Sequence, residues 1–196
     1  MRVIAGSARG RQLKTRKGRE TRPTADRIKE SLFGILATRI TGCRFLDVFA
    51  GNGGIGIEAL SRGVDKCVFI EKNNHCVKII KDNLMSAGFT EQSTVIASDA
   101  AVALSMLQKK TESFDVIFLD PPYHSPELAP ALQIIARGLL TSDGLVIVEH
   151  HSRDTSWRDD AIWIAVREKK YGDTTLTFLV PAAAGGVADS PEEGGE

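Results

Sequence analysis

From residue 44 onward the chain alternates short apolar runs with amphipathic stretches, and that alternation restricts it to few folds. Strands are expected near 44–48, 66–71, 93–97, 114–119 and 143–149, with a helical segment between each pair. Strands separated in this way pair in parallel and are covered on both faces, which explains why the runs are continuously apolar. The end breaks the pattern. Ala161–Lys170 and Thr174–Val180 are two more strands joined only by Tyr171-Gly172-Asp173. That link is too short for a helical crossover, so the last strand must run antiparallel to its neighbour. The expected fold is α/β and Rossmann-like: a mostly parallel seven-stranded sheet with an antiparallel last strand, preceded by a small N-terminal hairpin and helix.

The segment ahead of the sheet is basic. Lys+Arg and Asp+Glu balance at 25 each, yet the first thirty residues contain Arg2, Arg9, Arg11, Lys14, Arg16 and Lys17 among others, against Glu20, Asp26 and Glu30. Residues 2–14 read as a hairpin turning through Gly6-Ser7-Ala8-Arg9-Gly10, and residues 15–23 as a basic loop. A helix follows, capped by Thr24, with Ile28, Leu32, Ile35 and Leu36 on one face. Lys and Arg so placed neutralise phosphates without selecting a base, although a merely solvated face would look the same. Arg9, Arg11, Lys14, Arg22 and Arg27, with Thr24, are the expected nucleic-acid grip. Residues 1–40 form this unit, 41–181 the enzyme domain, and the Ala/Gly/acidic stretch 182–196 a disordered tail.

Cys43, Cys67 and Cys76 are odd in number and in no metal-ligand spacing, so they read as reduced core residues of a cytoplasmic protein. No apolar run reaches the length of a membrane span, and the charged N-terminus lacks the core of a signal peptide.

Phe45-Leu46-Asp47-Val48-Phe49-Ala50-Gly51-Asn52-Gly53-Gly54-Ile55-Gly56 is a strand, a glycine-rich turn and a helix start. Gly51, Gly53 and Gly56 match the dinucleotide spacing G-x-G-x-x-G, and Glu71 closes the next strand twenty residues after Gly51. A pyrophosphate on that helix start would be repelled by Asp47. The same carboxylate suits the ammonium group of a methionine moiety. S-adenosylmethionine is therefore the expected cofactor, bound by Asp47, Gly51, Asn52 and Gly53. Glu71 would accept from two ribose hydroxyls and Asp99 from the adenine amine. Glu71 could equally be a solvated strand end, and Asp99 a helix cap.

At the carboxyl end of the fourth strand stands Asp120-Pro121-Pro122-Tyr123, where open α/β sheets bind ligands. An aryl amine is a poor nucleophile because its lone pair is delocalised into the ring. The Asp120 carboxylate and the Pro121 carbonyl can each accept one of its N–H groups, which pins the nitrogen and aims its lone pair. Two prolines fix the backbone, so these acceptors are preorganised. Tyr123 can stack on an extruded base. The bland reading is two prolines ending a strand and a tyrosine covering the core edge. Methyl transfer of this kind needs orientation and no metal.

Taken together, these residues resemble the RsmD-type bacterial 16S ribosomal-RNA guanine-N2 methyltransferases, whose fold is that of class I methyltransferases. The likeness runs from residue 2 to about 180. It is carried by Arg2-Val3-Ile4-Ala5-Gly6, Arg9-Gly10-Arg11, Arg22-Pro23-Thr24, Glu58-Ala59-Leu60-Ser61-Arg62-Gly63 and Tyr171-Gly172-Asp173-Thr174, together with the glycine loop and Asp120-Pro121-Pro122-Tyr123. It implies a guanine N2 target, conventionally nucleotide 966, in a largely assembled small ribosomal subunit; separately, a monomer is expected. Asn52-Gly53-Gly54-Ile55 departs from the family's more frequent Ser-Gly-Ala-Leu, and the acidic tail is outside its pattern. The competing readings are an amino methyltransferase for adenine or protein glutamine, a nicotinamide oxidoreductase, and a non-catalytic RNA-binding protein. Asp47 and the tetrapeptide oppose the oxidoreductase, and the intact tetrapeptide opposes the non-catalytic protein. His124, His150 and His151 read as polar strand-end residues, and Trp157 and Trp163 have no place in the site.

Overall fold

Each of the five apolar runs is a strand: β1 (Arg44–Val48), β2 (Lys66–Glu71), β3 (Ser93–Ala97), β4 (Phe114–Leu119) and β5 (Leu140–His151). The terminal pair is β6 (Trp163–Tyr171) and β7 (Thr174–Pro181). The helices are α1 (Pro23–Ile35), α2 (Gly54–Ser61), α3 (Asn74–Ala87), α4 (Ala100–Lys109) and α5 (Leu128–Ile135). This computed structural model describes residues 1–15, 23–122, 125–158 and 162–182. Arg22, Tyr123, His124, the side chain of Thr24 and the tail from residue 183 lie outside the described residues.

The sheet order is β3-β2-β1-β4-β5-β7-β6, with β1 to β5 parallel. Side chains alternate across a strand, so each strand feeds two cores. Phe45, Phe69, Phe118 and Ile147 pack under α1, α2 and α3, against Leu32, Ile57 and Ile80. Leu46, Ile117, Leu119 and Val148 pack under α4 and α5, against Leu104 and Leu132. That double cover is what continuously apolar strands require.

The expected antiparallel strand is present, inserted rather than appended. β7 lies between β5 and β6 and runs antiparallel to both, with Ile147 opposite Phe178 and Tyr171 opposite Thr174. The more apolar strand takes the interior position and leaves β6 on the edge. There Arg167, Glu168, Lys169 and Lys170 are exposed, a charge pattern that discourages pairing with another sheet.

Two expectations for the N-terminus need correction. α1 opens at Pro23, so Thr24 lies inside the first turn and is not its cap. Proline is favoured at the first helical position because its missing N–H has no partner there anyway. The hairpin also lacks a regular ladder. Its strands meet in one bridge, Arg2 with Gln12, supported by bonds from Val3 N to Arg11 O and from Leu13 N to Met1 O. Side chains of α2 fix it instead. Buried Glu58 accepts from the amides of Ile4 (2.8 Å) and Ala5 (3.0 Å) and pairs with Lys29 (3.2 Å) and Arg62 (2.8 Å). The Ser61 hydroxyl donates to Ala5 O and accepts from Ala8 N. Val3 and Leu13 enter the same core as α1 and the sheet. The three cysteines are buried and unpaired with one another. No helix among the described residues is long and apolar enough to cross a membrane.

Candidate active site

The order β3-β2-β1-β4-β5 reverses direction between β1 and β4, which opens a crevice beyond the carboxyl ends of those two strands. The loop leaving β1 fills one side of it. Phe49 (φ 63), Gly51 (φ 57) and Gly53 (φ 78) are all left-handed, a run that lets the chain reverse within a few residues before α2. For Phe49 that backbone is unfavourable, and such strain tends to concentrate at functional loops.

The carboxylates around the loop hold it in shape. Asp47, buried, accepts the Gly56 amide at 2.9 Å. Glu71 accepts from the Gly51 amide (2.8 Å) and the Asn73 amide (2.7 Å), joining the ends of β1 and β2. The Asn52 side chain accepts from Gly54 N, while its carbonyl accepts from buried Asn83. Asp99 accepts from the Ala101 amide at 3.0 Å and caps α4, the structural role weighed against cofactor contact. Burial pushes the Asp47 carboxyl up to about 7 against the Gly56 hydrogen bond, with Asp120 and Glu71 adding to the rise. The crevice therefore repels phosphate and favours a cation. Lys72, which follows Glu71, is engaged by Glu127 at 2.6 Å. These residues fit the ammonium and sulfonium of S-adenosylmethionine and do not fit a pyrophosphate.

Asp120 continues the pattern of β4, its amide donating to Val48 O at 3.4 Å. It is exposed, followed by buried Pro121 and exposed Pro122. Asp120 is close enough to Asp47 to add to the cost of its charge, so the structure brings the loop and the Asp-Pro-Pro segment together. Tyr123 lies outside the described residues. Pro121, Pro122 and Leu128 line a cleft with Glu149 and His150, and sequence reasoning had not selected Glu149. Its place beside Asp120 depends on β4–β5 register, which no local motif carries. Burial and then the Asp120 carboxylate push the Glu149 carboxyl well up. His150 is buried, bonded to Thr177 (2.8 Å) and His151 O (2.9 Å), in keeping with a structural strand-end residue.

The basic residues are dispersed. Arg9 and Arg11 are exposed on the hairpin and Arg27 on α1. Lys14 pairs with Asp82 of α3 at 2.8 Å, and its main chain is held by Asn83, which also holds Asn52. The hairpin and the glycine loop thus share one buried side chain.

The family model described as conserved hypothetical protein 95 matches residues 1–180. The chain is 39% identical over 179 residues to a Bacillus subtilis protein named "Putative rRNA methyltransferase YlbH", covering 91% of this chain and 97% of that one. It is 32% identical over 190 residues to the ribosomal RNA small subunit methyltransferase D of Escherichia coli, covering 94% and 92%. Among solved structures, the Escherichia coli protein described as "Putative methyltransferase yhhF" superposes with a TM-score of 0.78 at 32% identity, covering 91% of this chain and 96% of that one.

Proposed function

The chain belongs to the RsmD family of ribosomal-RNA methyltransferases, and from that premise we propose that it methylates the exocyclic N2 amine of a guanine in 16S ribosomal RNA, using S-adenosylmethionine. The observation that carries this reading is the Asp120-Pro121-Pro122 segment at the end of β4 beside the carboxylate-lined loop of β1. When bound, S-adenosylmethionine supplies an electrophilic methyl group on a positively charged sulfonium. Asp47, Gly51, Asn52, Gly53, Glu71 and Asp99 would hold it.

The chain's own task is to make a weak nucleophile reactive. Asp120 and the Pro121 carbonyl each accept an N–H of the amine, which favours a pyramidal nitrogen with its lone pair aimed at the electrophile. As the nitrogen becomes positive, the Asp120 carboxylate interacts with it more strongly, so the stabilisation is greater in the transition state. The acidified N–H then needs no strong base to leave. Tyr123 stacks on the base, while Arg9, Arg11, Lys14, Arg22 and Arg27, with Thr24, hold the RNA backbone. The relatives' names support a small-subunit substrate.

The test is to incubate the enzyme and S-adenosylmethionine with 16S RNA and with small subunits lacking the modification, then map the product. N2-methylguanine at one nucleotide is expected. A methyl group on adenine or on a protein side chain would overturn the assignment.

A further inference from the structure

Leu119 of β4 is in register with Val148 of β5, and both point into the core under α4 and α5. The residues that follow, Asp120 and Glu149, therefore leave adjacent strands on the opposite face, at a strand spacing of about 4.8 Å. Glu149 is half-buried there, in the cleft lined by Pro121 and Pro122. Its neighbour His150 is satisfied by Thr177 and His151, whereas no hydrogen bond or cation among the described residues offsets the burial of Glu149. A carboxylate that opens onto this cleft beside the Asp120 carboxylate, with no donor from the described residues, is placed to accept one from a ligand.

The ligand chemistry follows from Asp120. A base that offers its C2 amine to Asp120 brings the next position of its ring edge toward β5. In guanine that position is N1–H, a donor, followed by the O6 acceptor; in adenine N1 carries no hydrogen. We propose that Glu149 is a specificity-determining residue, accepting the N1–H of the target guanine beside the amine held by Asp120. Ionised, it accepts N1–H; protonated, it accepts N1–H and donates to O6. This inference rests on the guanine-N2 reading above.

The probe is 16S RNA carrying 2-aminopurine at the target position, since that base keeps the C2 amine but lacks N1–H and O6. Wild-type enzyme should methylate guanine roughly tenfold to a hundredfold better than 2-aminopurine in kcat/KM, the worth of one hydrogen bond to a charged group. Glu149→Ala should lose that factor on guanine and change little on 2-aminopurine, so that the preference collapses. Glu149→Gln keeps an acceptor for N1–H and a donor for O6, and should retain guanine turnover and the preference within a few-fold. If the alanine variant does not fold, Glu149→Leu takes its place: the preference should collapse in the same way, and an unchanged preference would overturn the inference. Equal losses on both bases, or an unchanged preference in Glu149→Ala, would overturn the inference while leaving the function intact. Wild-type enzyme inactive on the guanine substrate would overturn both.

Discussion

Asp47 accepts the Gly56 amide at 2.9 Å from beneath the glycine loop, tying the end of β1 to the first turn of α2. α2 can also lie close against β2 because position 56 has no side chain. A Cβ there would lie 2.2 Å from the Phe69 ring and 2.8 Å from Cys67 Sγ. A carboxylate in this place costs stability, yet a neutral residue could make the same hydrogen bond. If the charge serves the proposed cofactor role, stability and cofactor affinity should respond oppositely to its removal.

The pH dependence of Asp47→Asn tests that division. The carboxyl is raised from 3.8 to about 7 in the folded protein, chiefly by burial. Below the lower value it is neutral in both states and costs nothing. As pH rises toward about 7, the unfolded chain ionises first and folded stability is lost; above that the loss is constant. Asn keeps an acceptor for Gly56 and never ionises. Thermal melts without cofactor should therefore show a stabilisation by Asn that grows between pH 4 and 7 and then levels. Calorimetry at pH 8 should show weaker S-adenosylmethionine binding by the variant. An offset independent of pH would mean that the buried charge is not the cause.

Glu58→Ala should unfasten the N-terminal hairpin. It deprives the Ile4 and Ala5 amides of their acceptor and leaves Lys29 buried without its counter-charge. Breaking a buried pair from one side costs about 3–5 kcal/mol, which urea denaturation would register. Glu58→Gln keeps an acceptor and should cost less. A loss below about 1 kcal/mol would show that the core contacts of Val3 and Leu13 dock the hairpin unaided.

The parts legible in the sequence are those set by local chemistry. Strand periodicity, the glycine loop, the Asp-Pro-Pro segment and the short β6–β7 link each announce themselves within a dozen residues. What stayed hidden depends on long-range pairing. The insertion of β7 beside β5, the meeting of Glu149 with Asp120, and the use of Glu58 to hold backbone amides more than fifty residues away have no local signal. Thr24 misled because a threonine before an apolar face looks like a cap, while Pro23 already occupied the helix. Asp99 showed the reverse: its capping role was visible because it needs only the next two residues.

The hairpin arginines should govern RNA affinity more than Lys14, which is already engaged by Asp82. Neutralising Arg9 and Arg11 should raise KM for the ribosomal substrate and flatten its dependence on salt, since fewer counter-ions are released. Lys14→Ala alone should do less, and S-adenosylmethionine binding should be unaffected in both variants. Binding measured across a salt series checks this. An unchanged slope in the Arg9/Arg11 variant would remove the hairpin from the RNA contact surface.

The chemical step separates Asp120 from Tyr123. Asp120→Ala removes an acceptor whose contribution grows as the amine nitrogen becomes positive, so turnover should fall by about a hundredfold or more. Cofactor binding should survive, because the backbone of the glycine loop is held by Asp47 and Glu71. Tyr123→Ala would remove the proposed stacking platform, worth about 1–3 kcal/mol per base, a loss shared between binding and turnover. Tyr123→Phe keeps the ring and should retain most activity. Single-turnover kinetics at saturating cofactor isolates the methyl transfer from product release. Turnover of Asp120→Ala within a few-fold of wild type would remove this carboxylate as the amine acceptor. The nitrogen would then be oriented by the Pro121 carbonyl, a backbone group that no side-chain substitution at position 120 deletes.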